Sequence, residues 1–236
     1  MSEFGAAFAA AAALMVHGDP QFWDILTLSL RVTLSAVAIA AVIGLPLGAM
    51  LALARFPGRS FVIVLVNTAM GLPPVVAGLA LFLLLSRSGP LGALGWLYTP
   101  RAMILAQVAL VTPIVVALAR QSVETLWEDY REHLAALGQT GVSAVPTLLW
   151  DGRFALTTAL LAGFGRASAE VGAVLIVGGN ILGHTRMMTT AIALETSKGD
   201  LPLALGLGVA LFGLTLAVNA AAYAVSRLGA RRAGAI

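Results

Sequence analysis

Charged residues fall at long intervals along this chain, and the runs between them set the first expectation. Val32 to Ala54 is 23 residues without a charge, Ser60 to Ser86 is 27, and Leu201 to Ser226 is 26. Each exceeds the ~20 residues that an α-helix needs to cross a bilayer. Ala102 to Ala119 adds a run of 18, and Phe154 to Asn180 one of 27, interrupted only by Arg166 and Glu170. The pattern predicts five membrane-spanning helices. A further apolar run, Phe4 to Gly18, is Ala-rich and only 15 residues long. It is short for a span, and Glu3 is no basic start for a signal peptide. Residues 1–21 are therefore read as an interfacial N-terminal segment.

The period changes after the third span. Apolar residues recur at Val123, Leu126, Trp127, Tyr130, Leu134 and Leu137, with Glu124, Glu128, Asp129 and Glu132 between them. That spacing is an amphipathic helix, continuing the span into water. Gly138 can end it. A short apolar piece, Val142 to Trp150, follows with Pro146 inside it. The expected shape is an elbow: a helix leaving the bilayer, a glycine turn, a surface helix, and a return into lipid.

Composition agrees with this pattern. Hydrophobic residues make up 59% of the 236, mean hydropathy is +0.95, and only 11% are charged. Soluble domains carry about 45–50% apolar residues, so lipid is the expected solvent. The absence of cysteine excludes disulfides and thiolate metal sites. A net charge of +3 is ordinary for a membrane protein and gives no reason to invoke nucleic acid. If the elbow is cytoplasmic, Arg55, Arg59, Arg120, Arg131, Arg153, Arg227, Arg231 and Arg232 lie inside. Arg31, Arg87, Arg101, Arg186 and Lys198 lie outside. The bias has the expected positive-inside sign, with the N-terminus out and the C-terminus in.

Within the spans, Pro46, Pro73, Pro74 and Pro113 each remove a helix hydrogen bond and favour kinks; they fit irregular packing or hinges around a pathway. The uncharged connector 88–100 carries Trp96 and Tyr98, aromatics suited to the membrane interface. The stretch 157–174 is built mainly from Ala, Gly, Ser and Thr, which favours close helix contact over lipid exposure. The fourth span is expected to be central.

Several segments carry a family resemblance. "EHLAALG" places Glu132 and Gly138 six apart, as in the cytoplasmic loop of ABC-importer membrane subunits. "NTAMGLPPVVAGLALFLLLSRSGPLG" (67–92), "WDGRFALTTALLAGFGRASAEVGAVLIVGGNI" (150–181) and "GHTRMMTTAIALETSKGD" (183–200) closely resemble the tungstate branch of the molybdate/tungstate/sulfate ABC permeases. The resemblance covers about residues 23–227. His133 and Leu134 stand where the family has two alanines, and Trp150-Asp151 where it often has Leu-Pro.

The resemblance implies an all-α type I ABC-importer transmembrane domain over 22–228, with a basic tail over 229–236. It implies a homodimer in the plasma membrane (a bacterial inner membrane), a cytoplasmic ATPase dimer carrying ATP and Mg, and an external oxyanion-binding protein. The segment 120–153 becomes the ATPase-coupling loop, with Glu132, His133, Leu134, Gly138, Val142, Val145 and Leu148 as its contacts. The oxyanion is tungstate first, with molybdate or sulfate as alternatives.

Arg166 and Glu170, four apart near the middle of the fourth span, would share one helix face. Charges at that depth normally face an interior or a water-filled cavity. Three roles stay open: a self-neutralising packing pair, an oxyanion path lined by Arg166, and a proton relay through Glu170 in a secondary transporter. Asn180, beside Gly178 and Gly179, marks a break in the helix and a further path candidate. His184 and Arg186 follow in an outer loop, as candidate contacts for the binding protein or the outer gate. No phosphate-binding G-x4-G-K-[ST], H-E-x-x-H or G-x-S-x-G occurs. A transporter subunit without its own ATP site is expected, rather than an enzyme.

Overall fold

A computed structural model describes Gly5 and residues 20–232 of the chain, with side chains as far as Val225. The N-terminal segment expected over 1–21 lies outside the described residues except for Gly5, Pro20 and Gln21, as do the last four residues of the basic tail. Among the described residues every regular element is helical. In chain order these are α1 (Pro20–Leu53), α2 (Arg59–Met70), α3 (Pro74–Leu85), α4 (Pro100–Ala136), α5 (Val145–Asp151), α6 (Arg153–Ser168), α7 (Gly172–Gly178), α8 (Met188–Lys198) and α9 (Leu201–Arg232). Short 3-10 turns cover Gly92–Leu94 and Gly141–Ala144.

Among the described residues three helices are long and apolar enough to cross a membrane unbroken, namely α1, α4 and α9. The other two apolar runs are bent helix pairs, α2 with α3 and α6 with α7, and each pair counted once brings the total to five among the described residues. The five runs are thus present, but two are not single rods. Pro73 is the extended residue before α3 and Pro74 its first helical position, where proline costs no hydrogen bond. Pro46 and Pro113 lie inside α1 and α4, which continue through them.

The described chain clusters into two compact units, each assembled from separate stretches of sequence. One contains the described residues up to Ala36, Pro73–Gln107 and Ala167–Asn219; the other contains Val37–Leu72, Val108–Arg166 and the chain from Ala220. Neither is contiguous, so no linker or composition shift marks a boundary in the sequence. The first unit has a core of Phe22, Met188, Ala191, Leu207 and Ala210. In it α3 lies hard against α7: a Cβ on Gly78 would come 2.7 Å from the Ala173 Cα.

In the second unit a Cβ on Gly48 would meet the Val116 carbonyl oxygen at 2.5 Å, and one on Gly163 would meet Val111 Cγ1 at 2.9 Å. These glycines let α1 and α6 close on α4, the arrangement that small residues permit in membrane bundles. Gly163, Ala159 and Phe164 are buried, as expected of a central span.

Candidate functional site

The elbow is built in the second unit. α4 is 37 residues long, which is about 55 Å at ~1.5 Å per residue and well beyond the ~30 Å hydrocarbon core. It ends where its sequence says. Gly138 is left-handed, with φ 75°. The Gln139 N–H donates to the Leu134 carbonyl at 2.8 Å and the Gly138 N–H to that of Ala135 at 3.0 Å, the paired closure that a glycine after the helix allows. Thr140 and Ser143 then cap the next turn: the Thr140 N–H donates to Ser143 Oγ at 2.9 Å. Thr147 Oγ1 donates to the Gln139 amide oxygen at 2.9 Å, tying α5 to the turn.

A small apolar core holds this shape. Ala49 and Leu53 of α1, Val123 and Leu134 of α4, and Ala144, Val145 and Leu148 of the surface segment form one buried cluster, with Leu126 and Trp127 packed on it. Three of the expected contact residues, Leu134, Val145 and Leu148, are therefore interior supports of the elbow. Glu132, His133, Gly138 and Val142 are exposed and can meet a partner. The amphipathic pattern holds at Val123, Leu126, Trp127 and Leu134, but Tyr130 and Leu137 face away from the core, and Leu137 is 76% exposed. Trp150 is 69% exposed, its ring covered on one side by the Arg153 guanidinium at 4.8 Å. From the sequence Leu137 reads as part of the apolar stripe and Trp150 as a departure from the family pattern, and neither as an exposed contact.

The foot of the elbow carries a charge node that the sequence reading missed. Arg59 donates from Nη2 to Glu124 Oε1 at 2.6 Å, and from Nε to the Leu51 carbonyl at 2.9 Å. Arg120 Nη1 meets the other Glu124 oxygen at 2.5 Å. One carboxylate thus joins two arginines, one of which also satisfies carbonyls left open at the end of α1. The Arg120–Glu124 spacing of four was visible; Arg59, 65 residues from Glu124, was not.

The first unit holds a buried polar cluster. Arg166 belongs to the second unit, half-buried in the last turn of α6, and α6 stops at Ser168. The expectation that Glu170 continues that helix face is corrected: it stands in the break before α7. Its side chain is buried, and Oε1 accepts the Ala173 N–H at 2.9 Å, a favourable place for a carboxylate beside an incoming helix start. Side chains from α4 and α8 take up the carbonyls that the break releases. Gln107 Nε2 donates to the Ala167 oxygen at 3.1 Å, and Thr189 Oγ1 to the Glu170 oxygen at 2.8 Å. Membrane helices can break only where such partners exist.

Beyond α7 the chain turns as expected. Gly179 has φ 72° and Asn180 φ 51°, both left-handed. Asn180 is brought to Thr190, whose carbonyl it meets at 3.4 Å, and to Arg186, whose Nη2 reaches the Asn180 carbonyl at 3.4 Å. His184 and Arg186 line one groove of about 480 Å³ together with Asp24 and Arg31 of α1.

No protein-family model matches the chain. A probable anion ABC transporter permease of Haloferax volcanii is 43% identical over 202 residues, covering 84% of this chain and 87% of that protein. The tungstate uptake system permease TupB of Peptoclostridium acidaminophilum is 38% identical over 218 residues, covering 92% and 96%. The chain belongs to the ABC-transporter permease family. The TupB permease of Campylobacter jejuni is 37% identical over 165 residues, 70% of this chain and 69% of that one. The permease is accordingly a multi-pass membrane protein and a transporter subunit.

Proposed function

We propose that this chain is the membrane subunit of an importer for a tetrahedral oxyanion, with tungstate as the first candidate. The observation that carries the substrate is the 38% identity to a permease named for tungstate uptake, extending over 96% of that protein. In this reading the permease works as a homodimer in the cell's inner membrane. Two cytoplasmic subunits bind ATP and Mg, and an external binding protein delivers the anion. The elbow faces the cytosol together with the C-terminus, and the N-terminus lies outside.

The physical chemistry of the elbow supports a docking role. Leu134, Val145 and Leu148 make it stiff, and a stiff element can transmit a partner's closure into α4. Leu137, Val142 and Trp150 then offer apolar contact beside Glu132 and His133. The node at Glu124 supports a rigid foot, since a carboxylate held by two guanidinium groups fixes three helix segments. The groove at His184 and Arg186 is the proposed face for the binding protein. Glu170, used as an acceptor at the start of α7, is read as a structural cap rather than a proton carrier.

The test is uptake of tungstate by cells that carry the complete transporter, with molybdate or sulfate as competitor and with or without an uncoupler. Tungstate is expected to enter at the lowest concentration, and entry is expected to survive collapse of the proton gradient. Uptake that stops with the gradient would replace this reading with a proton-coupled carrier using Glu170.

A further inference from the structure

We propose that the permease itself holds a capture site for an oxyanion dianion, in the groove formed by Arg31, His184 and Arg186. The proposal rests on the oxyanion reading above and adds a site on this chain. The groove of about 480 Å³ lies entirely in the first unit. Arg31 also lines a second depression of about 260 Å³ together with Arg101. Along the two depressions three arginines and a histidine face a single acid, Asp24.

What these arginines lack sets them apart from those at the elbow. Arg59 and Arg120 share Glu124, and Arg153 is stacked and hydrogen-bonded to the Trp150 carbonyl at 2.6 Å. Arg31, Arg101 and Arg186 have no carboxylate partner among the described residues. A guanidinium carries five N–H donors. On Arg186 one long bond to Asn180 is in use, and Nε is buried without an acceptor among the described residues. Buried donors are normally satisfied, so an under-coordinated cation in a groove asks for an acceptor. A tetrahedral oxyanion supplies several at once, with the charge that two guanidinium forks match. Concentrated positive charge in a cleft also raises the local concentration of an approaching anion.

A carboxylate-rich protein surface would satisfy the same groups, and the test separates the two. The full-length permease in lipid nanodiscs is titrated calorimetrically with sodium tungstate, sodium sulfate and sodium chloride. The oxyanions are expected to bind and chloride is not. Arg186→Gln and Arg31→Gln should each weaken tungstate binding by about tenfold, the loss of one charged hydrogen-bonding partner. Arg186→Lys should fall between, keeping the charge but not the fork. Arg87→Gln, an exposed arginine outside both depressions, should bind like the parent.

Uptake by the assembled transporter is measured on the same variants. Oxyanion binding no tighter than chloride would overturn the site. So would an Arg186→Gln variant with parental tungstate affinity and weakened association with the binding protein, which would leave the groove as a binding-protein face without an anion site. Parental binding and uptake in Arg186→Gln would remove the site and leave the transport reading standing. Tungstate held in the groove by a transporter that imports no oxyanion would support the site and overturn the transport reading.

Discussion

At the scale of single residues, the side chains that govern this fold are those that take over for the backbone where a helix stops. Glu170 replaces an intrahelical acceptor for the Ala173 N–H, and Thr189 and Gln107 cover the carbonyls that the break frees. Glu170→Ala is expected to cost about 1–3 kcal/mol, the penalty for a buried donor left without its partner. Glu170→Gln keeps an oxygen for that donor and should lose less. Thermal unfolding of the two variants in the same lipid checks the order, and equal losses would remove the capping role. Gly48 is governed by space instead. A methyl there would lie 2.5 Å from the Val116 oxygen, so Gly48→Ala should destabilise by about 1–3 kcal/mol through overpacking. Neither feature was legible in the sequence. Arg166 and Glu170 have helical spacing, and nothing local says that the helix ends at Ser168 between them. The partners that end it come from α4 and α8, about 60 and 19 positions away.

At the scale of elements, far more could be read beforehand. The change from an unbroken apolar run to a 3.6-residue period located the elbow, and Gly138 located its turn because only a residue tolerant of φ 75° closes α4 there. The five apolar runs likewise survive as two bent pairs and three rods. The inner and outer surfaces of the elbow were harder to tell apart. Leu134, Leu137, Val142, Val145 and Leu148 are all apolar, and only packing separates the supports from the exposed ones. Leu148→Ala should cost about 2–5 kcal/mol of local stability, read as faster amide exchange from 131 to 152. Leu137→Ser and Trp150→Ala should leave exchange unchanged and weaken association with the ATPase by about tenfold each, as exposed anchors of an interface do. A reversal of those two patterns would mean that the contact surface lies elsewhere.

For the whole molecule, residues scattered in sequence become neighbours within each of two units. The second unit contains the elbow and the Glu124 node; the first contains Glu170 with its hydrogen-bond partners and the arginine-lined groove. The sequence showed the family and the elbow because those depend on local patterns. It showed neither the node nor the groove, because Arg59 meets Glu124, and Arg31 comes to line one groove with Arg186, only through the fold. The central claim is that a separate nucleotide-hydrolysing subunit drives this permease through the elbow. Its most direct test is tungstate uptake into proteoliposomes that contain the permease and its binding protein, with and without the ATPase subunit and ATP. Uptake is expected only when ATPase and ATP are both present, and should fall with Leu137→Ser. Uptake at the same rate without the ATPase would contradict the claim outright.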